Sequence, residues 1–392
     1  MAAGIALDPS FGPRRPGTDR VLLASLLLVA GTGFAALWSA STGYALSLGR
    51  PAWWFAVRQL WFYLPAGAIF VLCATVPLEA LRRRVGLLTL LSLASLLLPF
   101  LPLIGSSRNG AARWIDLGFT TIQPSEFWKV VSVLYLAHVL ARRSQGEGAR
   151  GISDSGRSRF VLLPPFLLVG IGALLVYSQN DFSTAVIALM AAAAVFWVAG
   201  APVSAFLGIG SAAFSLFTLI VLTSDFRLRR ILAFLFPDYE PHGQGYQVLG
   251  SLRALREGGF LGKGLGLGTL KLASIPYVHS DFVFAAWTEE TGFLGVLAFF
   301  ALWTFFIARA FRNAWRDADP FRSWLGFGLA FLLAFQVLIN TAVAAGVVPA
   351  TGIALPFFSA GGSSLITSAA IAGLLVNLGR GSDSSPQETA RG

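Results

Sequence analysis

Ten apolar stretches of about bilayer length, ~20 residues each, recur along this 392-residue chain and limit its possible folds more than any other feature. They lie at roughly 21–42, 54–76, 86–104, 125–141, 160–178, 182–200, 203–223, 282–308, 323–345 and 361–379. In lipid, every backbone N–H and C=O must be satisfied within a helix or around a closed barrel. The runs lack the strict alternation of barrel strands, so they read as helices. What lies between them cannot cover a soluble core of this size. Only 12% of the chain is charged and 55% is hydrophobic, against about 25% charged in an ordinary soluble domain. That balance excludes a soluble enzyme, a disordered protein and a secreted disulfide scaffold. Cys73 is the single cysteine, which rules out an intrachain disulfide and argues against a cysteine-based metal site.

The expected fold is an all-α polytopic membrane protein with about ten transmembrane helices and one large extracytoplasmic loop, 224–281, between helices 7 and 8. Residues 1–20 are expected as a cytoplasmic tail, 21–379 as one membrane domain and 380–392 as a disordered cytoplasmic tail. The net charge of +10 is assigned to topology, with no nucleic-acid partner. With the N-terminus inside, the cytoplasmic segments hold 17 Lys and Arg and the short external loops hold 3. That asymmetry places both termini in the cytoplasm. Arg14, Arg15 and Arg20 ahead of a long first span read as an uncleaved signal-anchor. Pro164 and Pro165 predict a kink in the fifth span. No internal repeat stands out, which argues against an inverted-repeat transporter.

Polarity gathers on the external side, in 105–124, 179–184, 224–281 and 340–364, which points to one shared site on that face. The 224–281 loop is far longer than an ordinary connection and reads as a folded cap with short helices on the membrane. It holds Gly258, Gly259, Gly262, Gly264, Gly266 and Gly268. Such a run is either a flexible hinge or a set of backbone N–H groups open to an anion. It also carries Arg227, Arg229, Arg230, Arg253, Arg256, Lys263 and Lys271. These either snorkel to lipid headgroups or bind an anionic substrate such as a pyrophosphate.

Ionisable groups near a bilayer are costly and demand a reason. Glu126 and Lys129, at i, i+3 on the fourth span, are placed to pair. Asp181 is placed to cap the sixth span. Glu289 and Glu290 lie about two turns inside the eighth span and need partners, most simply on a neighbouring helix. Asp281 has two readings from position. It is a helix cap, or it is a partly shielded carboxylate under a basic loop, tuned to act as a general base. His138 and His242 lack a second histidine at metal-ligand spacing and receive no role.

Several segments carry a pattern in a fixed order: NGAARWIDLG at 109–118, IQPSEFWK at 122–129, QNDFSTA at 179–185 and RRILAFLFP at 229–237. They continue with GYQVLGSLRAL at 245–255, GGFLGKGLGLGTLK at 258–271, HSDFVFAAWTEETGFLG at 279–295, Asn340 and GVVPATGIALPFFSAGGSSL at 346–365. Together they resemble the SEDS family (shape, elongation, division and sporulation), whose members include FtsW, RodA and SpoVE. The resemblance covers most of the chain beyond residue 100.

The resemblance implies a peptidoglycan glycosyltransferase acting on lipid II, an inverting transfer that releases undecaprenyl pyrophosphate. It implies Asp281 as the catalytic base, and Arg113, Trp114, Glu126, Lys129, Arg230, Lys271, Ser363 and Ser364 as substrate-binding residues. It also implies assistance by a divalent metal ion, Mg or Mn, whose ligands no spacing fixes. A class B penicillin-binding protein is the implied transpeptidase partner, alongside other division or elongation membrane proteins. Asp181-Phe182 leans toward the division branch (FtsW) over the elongation branch (RodA). The chain departs from the family where QPD is common and Gln179-Asn180-Asp181 stands, and where Tyr277 follows Pro276 in place of Glu. Ser280 replaces the commoner Thr of the motif around Asp281. A lipid-precursor flippase or other transporter and a catalytically silent division scaffold are the rival readings. A transporter is expected to place polar groups near the midplane, open to both sides, whereas here they cluster on one face.

Overall fold

The computed structural model describes residues 17–108, 111–146, 158–204, 206–207, 210–211, 228, 232, 234–236, 244–269 and 278–380. Its helices in chain order are α1 (Arg20–Ser47), α2 (Trp54–Thr75), α3 (Leu78–Arg83), α4 (Val85–Ser95), α5 (Pro124–Gly146), α6 (Ser158–Ser178) and α7 (Phe182–Val198). After these come α8 (Gln244–Gly258), α9 (Val283–Trp315), α10 (Pro320–Ala344) and α11 (Gly362–Leu378). By length and composition α1, α2, α9 and α10 suffice to cross a membrane. Val85–Phe100, Leu163–Ser178, α7 and α11 are shorter apolar helices. The protein is a multi-pass helical membrane protein. The seventh expected span, 203–223, and much of the 224–281 loop lie outside the described residues.

α5 packs against α4, α6, α7, α10 and α11, while α9 packs on α1, α8 and α10, and α11 lies along α2. Fully buried α5 residues such as Trp128, Lys129, Leu136 and Leu140 put this helix at the centre. Its two charges near the start explain why it falls short of the apolarity of a lipid-facing span. Pro65 lies within α2, and Pro164 and Pro165 within α6, without ending those helices. Membrane helices tolerate such prolines because neighbours re-satisfy the freed backbone groups.

The expectation of an all-α chain needs one correction. A three-stranded antiparallel sheet, β1 (Gly105–Arg108), β2 (Ala111–Asp116) and β3 (Thr121–Ile122), occupies the polar stretch between the third and fourth spans. Gly105 pairs with Ile115, and Ile115 in turn with Ile122. The third span is correspondingly short. α4 stops at Ser95, a 3-10 turn covers Leu98–Phe100, and Pro99 and Pro102 keep the helix from continuing. The β2–β3 turn closes where Gly118 N–H donates to Asp116 Oδ1 at 2.8 Å, with Gly118 at φ 83°.

Two ends of the bundle differ in chemistry. At one, Asp19 caps α1 by accepting from Val21 and Leu22 N–H and receives Arg309 Nε and Asn313 Nδ2, each at 2.8 Å. Burial pushes the Asp19 carboxyl upward, but the bonds from Arg309, Asn313 and Leu22 outweigh it and hold the group below its ordinary value. Gly17 N–H reaches Arg380 C=O, Arg322 pairs with Asp317 at 2.7 Å, and the Arg82 guanidinium lies over the Phe321 ring. The start of α1, α3, the α9–α10 turn and the end of α11 therefore meet here. The other end collects the sheet, the starts of α5, α7 and α9, and the 345–361 connection.

Candidate functional site

The 345–361 connection is the crossing point of this second end. Asn340 of α10 donates from Nδ2 to Ile353 C=O at 2.7 Å and to Asp281 C=O at 3.2 Å. Gln336, one turn earlier, donates to Ala354 C=O at 2.9 Å. Ser183 of α7 donates to Thr351 C=O at 3.0 Å. The Ser359 hydroxyl donates to Ser280 C=O and accepts from Leu355 N–H. Ala360 N–H donates to His279 C=O at 2.8 Å. The segment carries backbone strain as well: Phe357 sits at φ 64°, a region bulky residues avoid.

Asp281 lies half-buried inside this frame. Phe282, not Asp281, occupies the N-cap of α9 and makes no side-chain cap bond, so the capping reading of Asp281 fails. Its carboxylate faces the backbone at Gly352, where a Cβ would stand 3.6 Å from Oδ2, and Gly352 is itself exposed. Chain on both sides of the acid is fixed, through the Asp281, Ser280 and His279 carbonyls.

His279, two residues before Asp281, is buried. Its ring stacks on Tyr44 of α1 at 4.5 Å and lies against Phe55 of α2 at 4.6 Å between centroids. Burial first, and the Arg58 charge second, push its pKa down to about 4. The unfolded chain takes up a proton here near pH 6.5, while the folded protein resists until about pH 4. Stability from this group is therefore complete above the unfolded value and lost as pH falls through the window. At about 1.4 kcal/mol per pH unit, that is on the order of 3 kcal/mol. His279→Phe, which preserves the stack, should flatten the fall in thermal midpoint between pH 6.5 and 4.5. Parallel pH curves for variant and wild type would refute this assignment.

A second polar cluster sits at the start of α7. Asp181 caps that helix, accepting from Thr184 N–H at 3.4 Å, as the sequence predicts. It also accepts from Gln123 Nε2 at 2.7 Å and Ser125 Oγ at 3.0 Å, and faces Arg113 Nη1 at 3.6 Å. Arg113 lies over its neighbour Trp114, 4.3 Å from the ring centroid, and keeps a quarter of its side chain exposed. Asn180 adopts φ 60° in the turn before α7. Asparagine tolerates that region and proline is locked out of it. The missing proline therefore goes with a different turn and leaves the Asp181 cap in place.

The fourth-span pair forms as its i, i+3 spacing predicts, and it is buried. Lys129 Nζ donates to Glu126 Oε1 at 2.9 Å and to Gln336 Oε1 at 3.3 Å. Lys129 is 1% exposed and Glu126 7%. Their charges meet each other and, through Gln336, tie α5 to α10. Ser363 accepts from Gln123 N–H at 3.0 Å, joining the start of α11 to that of α5, and Ser364 is buried beside it. Arg230 and Lys271, with Arg227, Arg229 and His242, lie outside the described residues.

The glycine-rich run has a structural answer to the hinge-or-anion question. It wraps a break in α9 at Gly292, where φ is 64° and ψ −162°. Its anions are carboxylates of this chain. Gly266 N–H donates to Glu290 at 3.0 Å and Thr269 N–H to Glu289 at 2.8 Å. Ser39 of α1 also donates to Glu290, the neighbouring-helix bond expected for this residue. Lys263 bonds Glu257 and, at 2.8 Å, Glu289. Glu257 first and Glu289 next hold its ammonium above its ordinary value. Gln59, Gln123, Ser125, Gln336 and Ser39 received no individual role from the sequence. Uncharged polar residues within apolar helices, or just before one in the case of Gln123, were the available signal.

Fold and site together define a multi-pass helical membrane protein in which a half-buried carboxylate stands where three helix starts, a small sheet and a strained connection converge. The chain belongs to the cell cycle protein family of FtsW, RodA and SpoVE, whose pattern matches residues 19–383. It is 34% identical over 365 residues to a probable peptidoglycan glycosyltransferase FtsW of Geobacter sp. (strain M18), covering 93% of this chain and 97% of the relative. The same identity over 385 residues relates it to the probable peptidoglycan glycosyltransferase FtsW of Halorhodospira halophila, covering 97% and 95%. Among solved structures, a chain of a peptidoglycan synthase complex that coordinates polymerization and crosslinking superposes with TM-score 0.73 at 28% identity, covering 93% and 98%. The rod shape determining protein RodA of Thermus thermophilus matches at TM-score 0.68 and 27% identity, covering 93% and 97%.

Proposed function

We propose that this protein is a peptidoglycan glycosyltransferase that polymerises lipid II on the extracytoplasmic face of the bacterial cytoplasmic (inner) membrane. The observation that carries the reading is Asp281: a carboxylate outside the helix cap, held through its backbone by Asn340 and lying beside exposed Gly352. Relatives named FtsW match nearly full length, and with Asp181-Phe182 they favour the division branch. Ten spans, an external 224–281 loop and cytoplasmic 1–20 and 380–392 tails complete the proposal. The Arg-rich end around Asp19 and Arg309 then faces the cytoplasm and Asp281 faces outward.

The chemistry needs a base and a stabilised leaving group. Asp281 takes the proton of the acceptor 4-hydroxyl as its oxygen attacks the donor's anomeric carbon. The bond from that carbon to the pyrophosphate breaks, and the electron pair leaves on undecaprenyl pyrophosphate with inversion at carbon. Arg113, Arg230 and Lys271 are the cations proposed to meet the pyrophosphate, with Trp114 stacked beneath Arg113 and Ser363 and Ser364 lining the floor. The isoprenoid tail rests between helices open to lipid. Among the described residues no group of three or more His, Cys, Asp and Glu gathers that could hold a metal ion. Crosslinking is assigned to a class B penicillin-binding protein partner, in line with the match to a synthase complex.

The test is polymerisation of purified lipid II by the full chain with that partner, read as glycan strands on a gel. Strands are expected. Lipid II translocation in vesicles without strands would replace this reading with a flippase. Arg113→Ala, which removes one charged contact of about 1.5–3 kcal/mol, should lower kcat/KM roughly ten- to hundredfold. Unchanged kcat/KM would remove Arg113 from the substrate site.

A further inference from the structure

The break in α9 is spliced by the glycine-rich loop. In an unbroken helix the carbonyls of Glu289 and Glu290 accept from the N–H groups of residues 293 and 294. Here Glu289 C=O accepts from Lys263 N–H at 3.0 Å and Glu290 C=O from Gly264 N–H at 2.9 Å. The released Phe293 and Leu294 N–H groups donate to Gly259 C=O at 2.9 Å and Phe260 C=O at 3.3 Å. Two helical bonds are exchanged for four between loop and helix. The fit demands bare backbone: a Cβ on Gly262 would stand 2.2 Å from Glu290 C=O, and one on Gly292 would stand 2.3 Å from Gly262 N.

The splice divides α9 into a short arm, 283–291, and a long arm beyond it. Asp281 stands just before the short arm. Because Gly292 is not helical, the long arm does not dictate the short arm's direction; the loop does, through side chains as well as backbone. Lys263 Nζ lies 2.8 Å from Glu289, which is 0% exposed, and Thr269 donates to the same oxygen from both N–H and hydroxyl. Glu290, 2% exposed, is held by Gly266 N–H and by Ser39 of α1.

We propose that Glu289 and Lys263 are positioning residues: their ion pair sets the direction of the short arm and thereby the placement of the Asp281 carboxylate for proton abstraction. The proposal rests on the reading of Asp281 as the base. Small displacements of a reacting group cost rate more than binding. The pair should therefore act on kcat and leave lipid II affinity alone.

The experiment compares steady-state lipid II polymerisation by the full chain with its partner for wild type, Lys263→Met, Glu289→Gln, Lys263→Arg and Ser39→Ala, with Asp281→Asn alongside. Turnover is normalised to folded protein by size-exclusion and thermal unfolding. Lys263→Met and Glu289→Gln are expected to lower kcat about ten- to hundredfold with KM within about twofold, and the double variant should be no worse than the lower single. Lys263→Arg, which keeps the charge, should recover most of the loss. Ser39→Ala, a mild truncation on α1 that removes a bond to Glu290 of the same arm, should lower kcat by a smaller factor, and it decides the matter if the charge variants do not fold. Wild-type kcat per folded molecule in the charge variants, or in Ser39→Ala where those fail to fold, overturns the proposal. So does a loss confined to KM or to the folded fraction. Strands from Asp281→Asn at the wild-type rate would instead overturn the base assignment, an outcome the kcat of the other variants does not mimic.

Discussion

Asp281→Asn is expected to abolish glycan-strand synthesis while leaving a folded, extractable protein. Asparagine keeps the size of the side chain and removes the charge that accepts the proton. Loss of a general base costs about 10²–10⁴ in rate, enough to take strands below detection on a gel. Folding should survive, because what fixes this region is mostly backbone: Asn340 to the Asp281 carbonyl, Ser359 to the Ser280 carbonyl and Ala360 to the His279 carbonyl. Asp281→Glu keeps the base but moves it by a methylene against Gly352, and should retain a reduced rate. Strands of normal length and yield from Asp281→Asn would move the chemistry to another carboxylate. Asp181 is then the next candidate, since Ser183 ties the start of α7 to Thr351 beside Gly352.

How much of this was legible in the sequence depends on the kind of signal. Bilayer-length apolar runs gave nearly every described helix, because lipid leaves the backbone no alternative. The sheet at 105–122 was not legible: its strands are two to six residues long, too short for alternation to show. Nor was the break in α9, since Gly292 sits inside a run that reads as continuous helix. Only the loop contributed by residues 258–269 makes the break affordable, and that contact is distant in sequence. At the site, Asp181 declared itself by its position before an apolar helix, and Glu126 with Lys129 by i, i+3 spacing. What spacing could not reveal was depth. The Glu126–Lys129 spacing predicted a pair but not that it would be almost fully buried, and the glycine-rich run, readable as hinge or anion site, binds Glu289 and Glu290 of its own chain.

The buried tie leads to the second large effect. Lys129→Met should destabilise the protein by about 3–5 kcal/mol, because it leaves the Glu126 carboxylate almost out of water without its cation. Methionine fills the lysine stem's volume, so the loss is electrostatic and not a packing void. The double variant Glu126→Gln/Lys129→Met removes both charges, and replacing a buried pair as a unit is often neutral. Its thermal midpoint should return most of the way to wild type. Turnover should return with it, since the pair faces Gln336 inside the protein and neither member carries more than 9% side-chain exposure. A double variant that is stable but inactive would contradict the tie and restore Lys129 to the substrate. One as unstable as Lys129→Met alone would show that the bond to Gln336, and through it to the Ala354 carbonyl of the connection beside Asp281, outweighs the charges.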